Sequence, residues 1–319
     1  MTAEQPPGGS SRDEARDRAP EATLASGLRS GFCSIVGRPN VGKSTLLNAL
    51  VGAAVAITTP VPQTTRHAVR GVLHADDVQV VFVDTPGLHK ARTLLGTRLN
   101  DVARNAFDDV DVVLFVLDGA SGIGSGDRFV AGLLADHAHR TIAVVNKVDR
   151  LSKAKQLPAL QAAADLGKWV DIVPVSARTG EGVSVVRDLI VERLPEGPPY
   201  FPSDQITDQT IEQRIAEHIR EQAIVRMREE VPHSVAVQVT EILSGDREDT
   251  TLVHATIFVE RDSQKGIVIG QGGAVLREIG TSARPQIERL LGTRVYLDLR
   301  VKLLKDWQGN PRSLDRLGY

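Results

Sequence analysis

From residue 31 onward the chain alternates short, nearly continuous apolar runs with stretches of helical periodicity, and Gly, Pro and Asp mark the joins. Residues 110–118 and 141–146 are apolar almost throughout, as strands are when helices cover both faces of a parallel sheet. Two more apolar runs, 69–74 and 78–84, meet across Ala75, Asp76 and Asp77, which predicts a hairpin. Helical patterns at 98–107, 127–137, 153–166 and 182–193 and a strand at 171–175 complete the alternation. The prediction for residues 31–195 is a doubly wound, mostly parallel α/β domain with one hairpin strand.

Elsewhere the pattern changes. Residues 1–30 have no aromatic residue and no apolar period, so they cannot bury enough surface to offset ordering and are expected to form a disordered tail. Residues 194–203 hold four prolines, which predicts a stiff linker, placed at 196–206. Beyond it the elements come in another order: a long helix at 208–230, strands at 234–243 and 251–260, a glycine-broken helical segment at 265–291, and a strand at 294–303. That order is α+β, so residues 207–319 are expected to be a second domain.

Composition narrows the class little. A hydrophobic share of 41% and a charged share of 24% are those of a soluble globular protein, and a net charge of −2 does not point to nucleic acid. The single cysteine, Cys33, lies in an apolar run and reads as a buried small residue, so no internal disulfide is expected. No apolar stretch approaches the roughly eighteen residues a membrane span needs, and the N-terminus lacks a signal-peptide core. A cytoplasmic protein is expected.

The chemistry starts at Gly37, Arg38, Pro39, Asn40, Val41, Gly42, Lys43 and Ser44, a G-x-x-x-x-G-K-S loop between an apolar strand and a helical run opening at Thr45. Glycine at its two ends lets backbone N–H groups turn inward on a phosphate, and the helix adds its positive dipole end. Lys43 would reach the β- and γ-phosphates and the Ser44 hydroxyl would hold Mg²⁺. Asp84, Thr85, Pro86 and Gly87 end one strand, where a carboxylate can bind Mg²⁺ through water and a glycine N–H can meet a γ-phosphate. At the end of another lie Asn146, Lys147 and Asp149, in the crevice where such sheets bind ligands. A carboxylate there accepts two hydrogen bonds from guanine and leaves adenine unmatched. Ser176 and Ala177, ending the last strand, would bring a backbone N–H to the guanine carbonyl.

These motifs, in this order, resemble the translation-factor-related GTPases and more narrowly the Era-type GTPases, over residues 31–319. The resemblance implies that residues 63–67 are switch I, with Thr65 closing over Mg²⁺ and Thr64 as the alternative. It also sets Leu88 where Ras-like GTPases carry a water-orienting glutamine, so unaided hydrolysis should be slow. Related GTPases use an asparagine at the position of Asn40 to bind K⁺, whose charge could replace an arginine finger. Lys43, Thr65, Gly87 and Asn40 are thus expected to serve the chemical step, Ser44, Thr65 and Asp84 the Mg²⁺, and the loop residues above, Leu88 included, the GTP or GDP.

In the second domain a G-x-x-G, Gly270, Gln271, Gly272 and Gly273, sits between short apolar helical runs. Helix, two strands, helix, G-x-x-G, helix and strand resemble a type II KH domain, whose loop clamps single-stranded RNA. Gln271 and Gly272 are uncharged where such loops often carry Lys or Arg, so phosphate contact falls to backbone N–H groups, Lys265 and Arg277, with Ile269 in the apolar groove. Residues 261–319 carry eleven Lys/Arg against six Asp/Glu, whereas 205–260 carry five against eleven, a basic half around the loop of +5 against −6. The resemblance implies the 3′ end of small-subunit rRNA, in a 30S-type particle, as partner of a monomer that binds no DNA, with peripheral membrane contact left open. The alternatives are a membrane-associated GTPase, or an RNA-binding module that holds GTP with negligible turnover.

Overall fold

The computed structural model describes residues 27–319 apart from 63, 90, 92 and 246–248; the expectation for residues 1–26 and for Gln63 lies outside these. The first domain runs β1 (Arg29–Val36), α1 (Lys43–Val51), β2 (Val69–Ala75), β3 (Val78–Asp84), α2 (Leu94–Asp108), β4 (Val112–Asp118), α3 (Ser125–Leu133), β5 (Thr141–Asn146), α4 (Lys153–Ala164), β6 (Asp171–Pro174) and α5 (Val183–Val191). The six strands lie in the order β2-β3-β1-β4-β5-β6, with only β2 antiparallel to its neighbour. The apolar strands are buried because two clusters sandwich them. One, with Leu46, Leu50, Val186 and Ile190, lies under α1 and α5; the other, with Phe107, Val130 and Ala163, lies under α2, α3 and α4.

β1 begins at Arg29, two residues inside the expected tail. Arg29 and Ser30 are tied to the far end of the domain, Arg29 by Nη1 to the carbonyls of Val191 and Glu192 and Ser30 by its hydroxyl to that of Pro198. The proline-rich segment, expected as a stiff linker, is tied along the first domain as a strap. Gln79 accepts from the N–H groups of Tyr200 (2.6 Å) and Phe201 (3.0 Å) and donates to the Phe201 carbonyl (2.7 Å). Further along, Val72 donates to the Ile206 carbonyl and Thr207 bridges to Gly71 at the edge of β2.

The second domain runs α6 (Ile211–Arg226), α7 (Val231–Ser234), β7 (Ala236–Ser244), β8 (Thr250–Val259), α8 (Asp262–Ile269), α9 (Ala274–Leu291), β9 (Arg294–Leu303) and α10 (Pro311–Leu317). β8 is central, antiparallel to β7 and parallel to β9. The helix expected at 208–230 is shorter. Thr210 and Gln213 form a reciprocal capping box that starts it, and the extended backbone at Met227 ends it before α7, which opens at Val231 with Pro232 in its first turn.

A further apolar cluster joins the domains: Leu95 and Leu99 on α2, Ala236 and Phe258 on the outer face of the second sheet, and Trp307 and Leu314 after the last strand. Leu95 N–H donates to the Gln308 carbonyl and Arg98 bridges to Asp315 at 2.7 Å. α6 contributes Arg220, 1% exposed, paired through Nε and Nη2 with Glu217 at 2.8 and 2.5 Å.

Trp307 is fully buried and its indole N–H donates to the Ser234 carbonyl at 2.9 Å. Trp307→Ala should lower the unfolding free energy in urea by about 3–5 kcal/mol. Burial would raise the Glu217 carboxyl, but the Arg220 guanidinium outweighs it and holds the group below its ordinary 4.5. The unfolded chain therefore takes up this proton first as pH falls. The stabilisation is complete above pH 4.5 and fades as pH drops through the folded value, and Glu217→Gln should remove this part of the acid sensitivity in thermal melts.

Candidate functional site

The site lies at the carboxyl ends of the parallel strands. α1 starts from Gly42 in a left-handed conformation (φ 99°) with no side chain capping it, so its first N–H groups point into the loop. Glycine is required twice here for space: a Cβ on Gly42 would meet Asn146 Nδ2 at 2.4 Å, and one on Gly37 the Val116 carbonyl at 2.5 Å. Lys43 is buried and its Nζ donates to the Gly37 and Arg38 carbonyls, both at 3.2 Å. Burial lowers its ammonium to about 8 against the pull of Asp84.

Three oxygens meet beside it. Ser44 Oγ donates to Asp84 Oδ2 at 2.6 Å and lies 2.9 Å from Thr65 Oγ1, which in turn donates to Asp84 Oδ2 at 3.2 Å. Asp84 is fully buried, which raises its carboxyl despite Lys43 and the two hydroxyls, and its Oδ1 has no hydrogen-bond partner. Two hydroxyls and a carboxylate with an orphaned oxygen are a hard-oxygen donor set that fits Mg²⁺. Thr64 is turned elsewhere, its hydroxyl donating to the Val61 carbonyl at 2.7 Å and touching Thr59. Gly87 brings the turn after β3 against the loop at Pro39, where a Cβ would meet Pro39 N at 2.7 Å. Lys43, Ser44, Thr64, Thr65 and Gly87 line the cleft together with Pro39, Asn40, Thr45 and Thr58, and Asp84 lies buried beneath it.

At the base end Asn146 ties three loops together: Nδ2 donates to the Val41 carbonyl (2.8 Å) and Oδ1 accepts from Ala177 N–H (3.0 Å). Lys147, at φ 66°, donates to the Asn40 carbonyl (2.5 Å) and to Asp118 (2.8 Å). Ser176 Oγ donates to Asp149 Oδ1 at 2.8 Å, which holds that carboxyl below its ordinary value with help from Arg178 on Oδ2.

Several assignments change. Arg38 turns its side chain onto buried Asp127, both oxygens at 3.0 Å, so only its backbone can serve a phosphate. Leu88 is 1% exposed in the core with Val36 and Phe115, and its N–H donates to the Gly37 carbonyl, so it lines no nucleotide cleft. Val41 and Thr85 brace the site from the core, Thr85 by donating to the Ile35 carbonyl, while Pro86 is absent from the residues lining the cleft. The N–H of Ala177 is committed to Asn146, so a guanine carbonyl would have to share it. Asp118, Arg178 and Asn48, which holds Val55 and Ala56 at the entry to switch I, were not singled out in the sequence, where a lone polar residue at a strand or helix end carries no motif.

The second candidate site is the turn between α8 and α9. Gly270, Gly272 and Gly273 all have positive φ (72°, 57° and 77°). A Cβ on Gly270 would meet Val275 at 2.6 Å, whereas Gly272 and Gly273 face open space. Gln271, Gly272 and Arg277 are exposed, Lys265 and Ile269 half-buried, and the neighbouring Ile267 is 49% exposed. Among the described residues no helix is long and apolar enough to cross a membrane.

A P-loop domain with these strand ends, joined to an α-β-β-α-α-β domain with a G-x-x-G turn, defines a GTPase fused to a KH module. Residues 32–147 match the family described as 50S ribosome-binding GTPase, and residues 230–308 match the KH domain family. The chain is 53% identical over 297 residues to GTPase Era of Mycobacterium bovis and 52% identical over 296 residues to that of Mycobacterium avium, covering 92% of this chain and 99% of each. Among solved structures it superposes with a TM-score of 0.89 at 38% identity on Era in complex with MgGDPNP and nucleotides 1506–1542 of 16S ribosomal RNA. It superposes at 0.88 and 37% on a variant of Aquifex aeolicus Era bound to GDP·AlF₄⁻, each match covering 92% of this chain and 99% of the other. The chain belongs to the Era family of GTPases, and GTP hydrolysis is its activity.

Asp149→Asn would present an amide donor where guanine needs an acceptor. It should lower GTP affinity by at least tenfold and raise xanthosine triphosphate affinity, as competition binding would register. Asn146→Ala should weaken both GTP and GDP by roughly 1–3 kcal/mol, because it leaves Val41 O and Ala177 N–H without their shared partner.

Proposed function

We propose that this chain is a Mg²⁺-dependent, K⁺-assisted GTP switch that binds the single-stranded 3′ end of small-subunit rRNA and assists small-subunit assembly in the cytosol. The carrying observation is the Ser44, Thr65 and Asp84 oxygen set in a chain that also presents the G-x-x-G turn. Bound Mg²⁺ would supply positive charge to the β- and γ-phosphates. Lys43 holds the same phosphates with a charge that an incoming anion favours, which offsets the burial that lowers its ammonium to about 8. Switch I closes over the site through Thr65, and the P-loop N–H groups of the α1 turn orient the phosphate chain.

With Leu88 in the core, no side chain at that position orients water, so the chemical step needs help. Asn40 lines the cleft and its Nδ2 donates to the Pro60 carbonyl at 3.0 Å, which sets two neutral oxygens, Asn40 Oδ1 and Pro60 O, on neighbouring groups. Neutral amide and carbonyl oxygens suit an alkali cation there. RNA binding falls to the basic surface around Lys265 and Arg277, the backbone of Gly270 to Gly273, and the apolar edge at Ile269.

GTP turnover in KCl should exceed that in NaCl at equal ionic strength, and Asn40→Ala should abolish the difference. An oligonucleotide copying the 3′ end of small-subunit rRNA should bind the full chain, and Gly272→Asp should weaken that binding by at least tenfold without changing GDP affinity. Equal rates in the two salts would overturn the K⁺ role, and no oligonucleotide binding would overturn the RNA role.

A further inference from the structure

Thr65 is held from both sides by the second domain. Its predecessor, Thr64, gives its carbonyl to Arg220 Nη2, and Arg220 is fixed in turn by Glu217 on the same helix. The following residue, Arg66, is 4% exposed and reaches into the second domain. Its Nη1 donates to the Val235 carbonyl at 2.6 Å and its Nη2 to the carbonyls of His233 (2.8 Å) and Pro232 (3.4 Å). The guanidinium lies against two rings, 5.5 Å from the centroid of Trp307 and 5.9 Å from that of Tyr319. Tyr319 also stacks on His67 at 4.7 Å, so the residue after Arg66 is gripped as well.

Between these two arginines, Thr65 points the other way, to Ser44 and Asp84. A planar guanidinium matches three carbonyls and two ring faces in a way an ammonium cannot. Leaving it undocked would strand those carbonyls or bury an unpaired charge, and both are unfavourable. A shift of switch I at Thr65 therefore disturbs these contacts with the second domain.

We infer that Arg66 is a positioning residue for GTP hydrolysis: docked in the carbonyl and ring cage of the second domain, it sets the place of the Thr65 hydroxyl. The inference rests on the assignment of Thr65 to Mg²⁺ made above. It makes the second domain part of the GTP-specific site, because switch loops of GTPases are held by γ-phosphate–Mg²⁺ contacts and released when the γ-phosphate is gone.

The test is a double-mutant cycle on the full chain. Affinities for a non-hydrolysable GTP analogue and for GDP are measured across a Mg²⁺ titration for the wild type, Thr65→Ala, Arg66→Ala and the double variant. Arg66→Ala should weaken the analogue about tenfold, leave GDP within about twofold, and add nothing to Thr65→Ala. Arg66→Lys should fall between wild type and Arg66→Ala. Should Arg66→Ala not fold, Tyr319→Ala removes one face of the cage and should produce a smaller loss of the same analogue-only kind. Losses that multiply in the double variant, or an equal loss of GDP affinity, would overturn the inference and leave the Thr65 assignment standing. A wild type whose Mg²⁺ dependence is the same for analogue and GDP would overturn both.

Discussion

Two arginines buried at the junction between the domains constrain the rest of the molecule. A guanidinium taken out of water needs partners for its donors, and Arg66 and Arg220 each find some across the junction: Arg66 from switch I into the second domain, Arg220 from α6 back to the Thr64 carbonyl, with Glu217 on its own helix taking Nε and Nη2 and Nη1 left without a partner. Their partners are mostly main-chain carbonyls, whose positions are fixed by helix and strand ends. The junction is thus specified by backbone geometry as well as by the apolar contact of Leu95, Leu99 and Trp307. Linkage makes the coupling reciprocal, so whatever draws Thr65 toward the phosphates also favours this arrangement of the domains.

The nucleotide site depends on the same economy of shared polar groups. Asn146 brings the P-loop, the β5 end and the β6 end into one unit with a single amide, and Lys147 fastens the P-loop to Asp118. Ser44, Thr65 and Asp84 hold one another in the arrangement that suits a divalent ion. Hydrophobic strands supply the rigid floor, and nearly every specific function is carried by the residue just past a strand's end.

That division explains what was legible in the sequence. Strands β3, β4 and β5 and the motifs that close them could be read because burial on both faces leaves a continuous apolar run and the chemistry follows at its end. The G-x-x-G turn was equally plain, since three positive φ angles in four residues demand glycine. Long-range docking was not legible. Gln79 looks like an ordinary polar residue in a strand, yet it holds the strap at Tyr200 and Phe201. Arg66 finds its carbonyls well over a hundred residues away. α6 ended early because the apolar pattern continues past Met227 while the backbone does not, and α10, begun by an Asn310 cap and Pro311, is too short to show a period. The sequence shows only what Leu88 lacks as a catalyst, whereas its place in the core gives it a packing role.

The central claim is that switch I and the second domain move as one unit set by the nucleotide. Hydrogen exchange on the full chain, loaded with GDP or with a non-hydrolysable GTP analogue, tests it most directly. The account predicts that amides of 64–67 and of 231–236 gain protection together on exchanging GDP for the analogue. Protection at 64–67 with no change at 231–236 would contradict it.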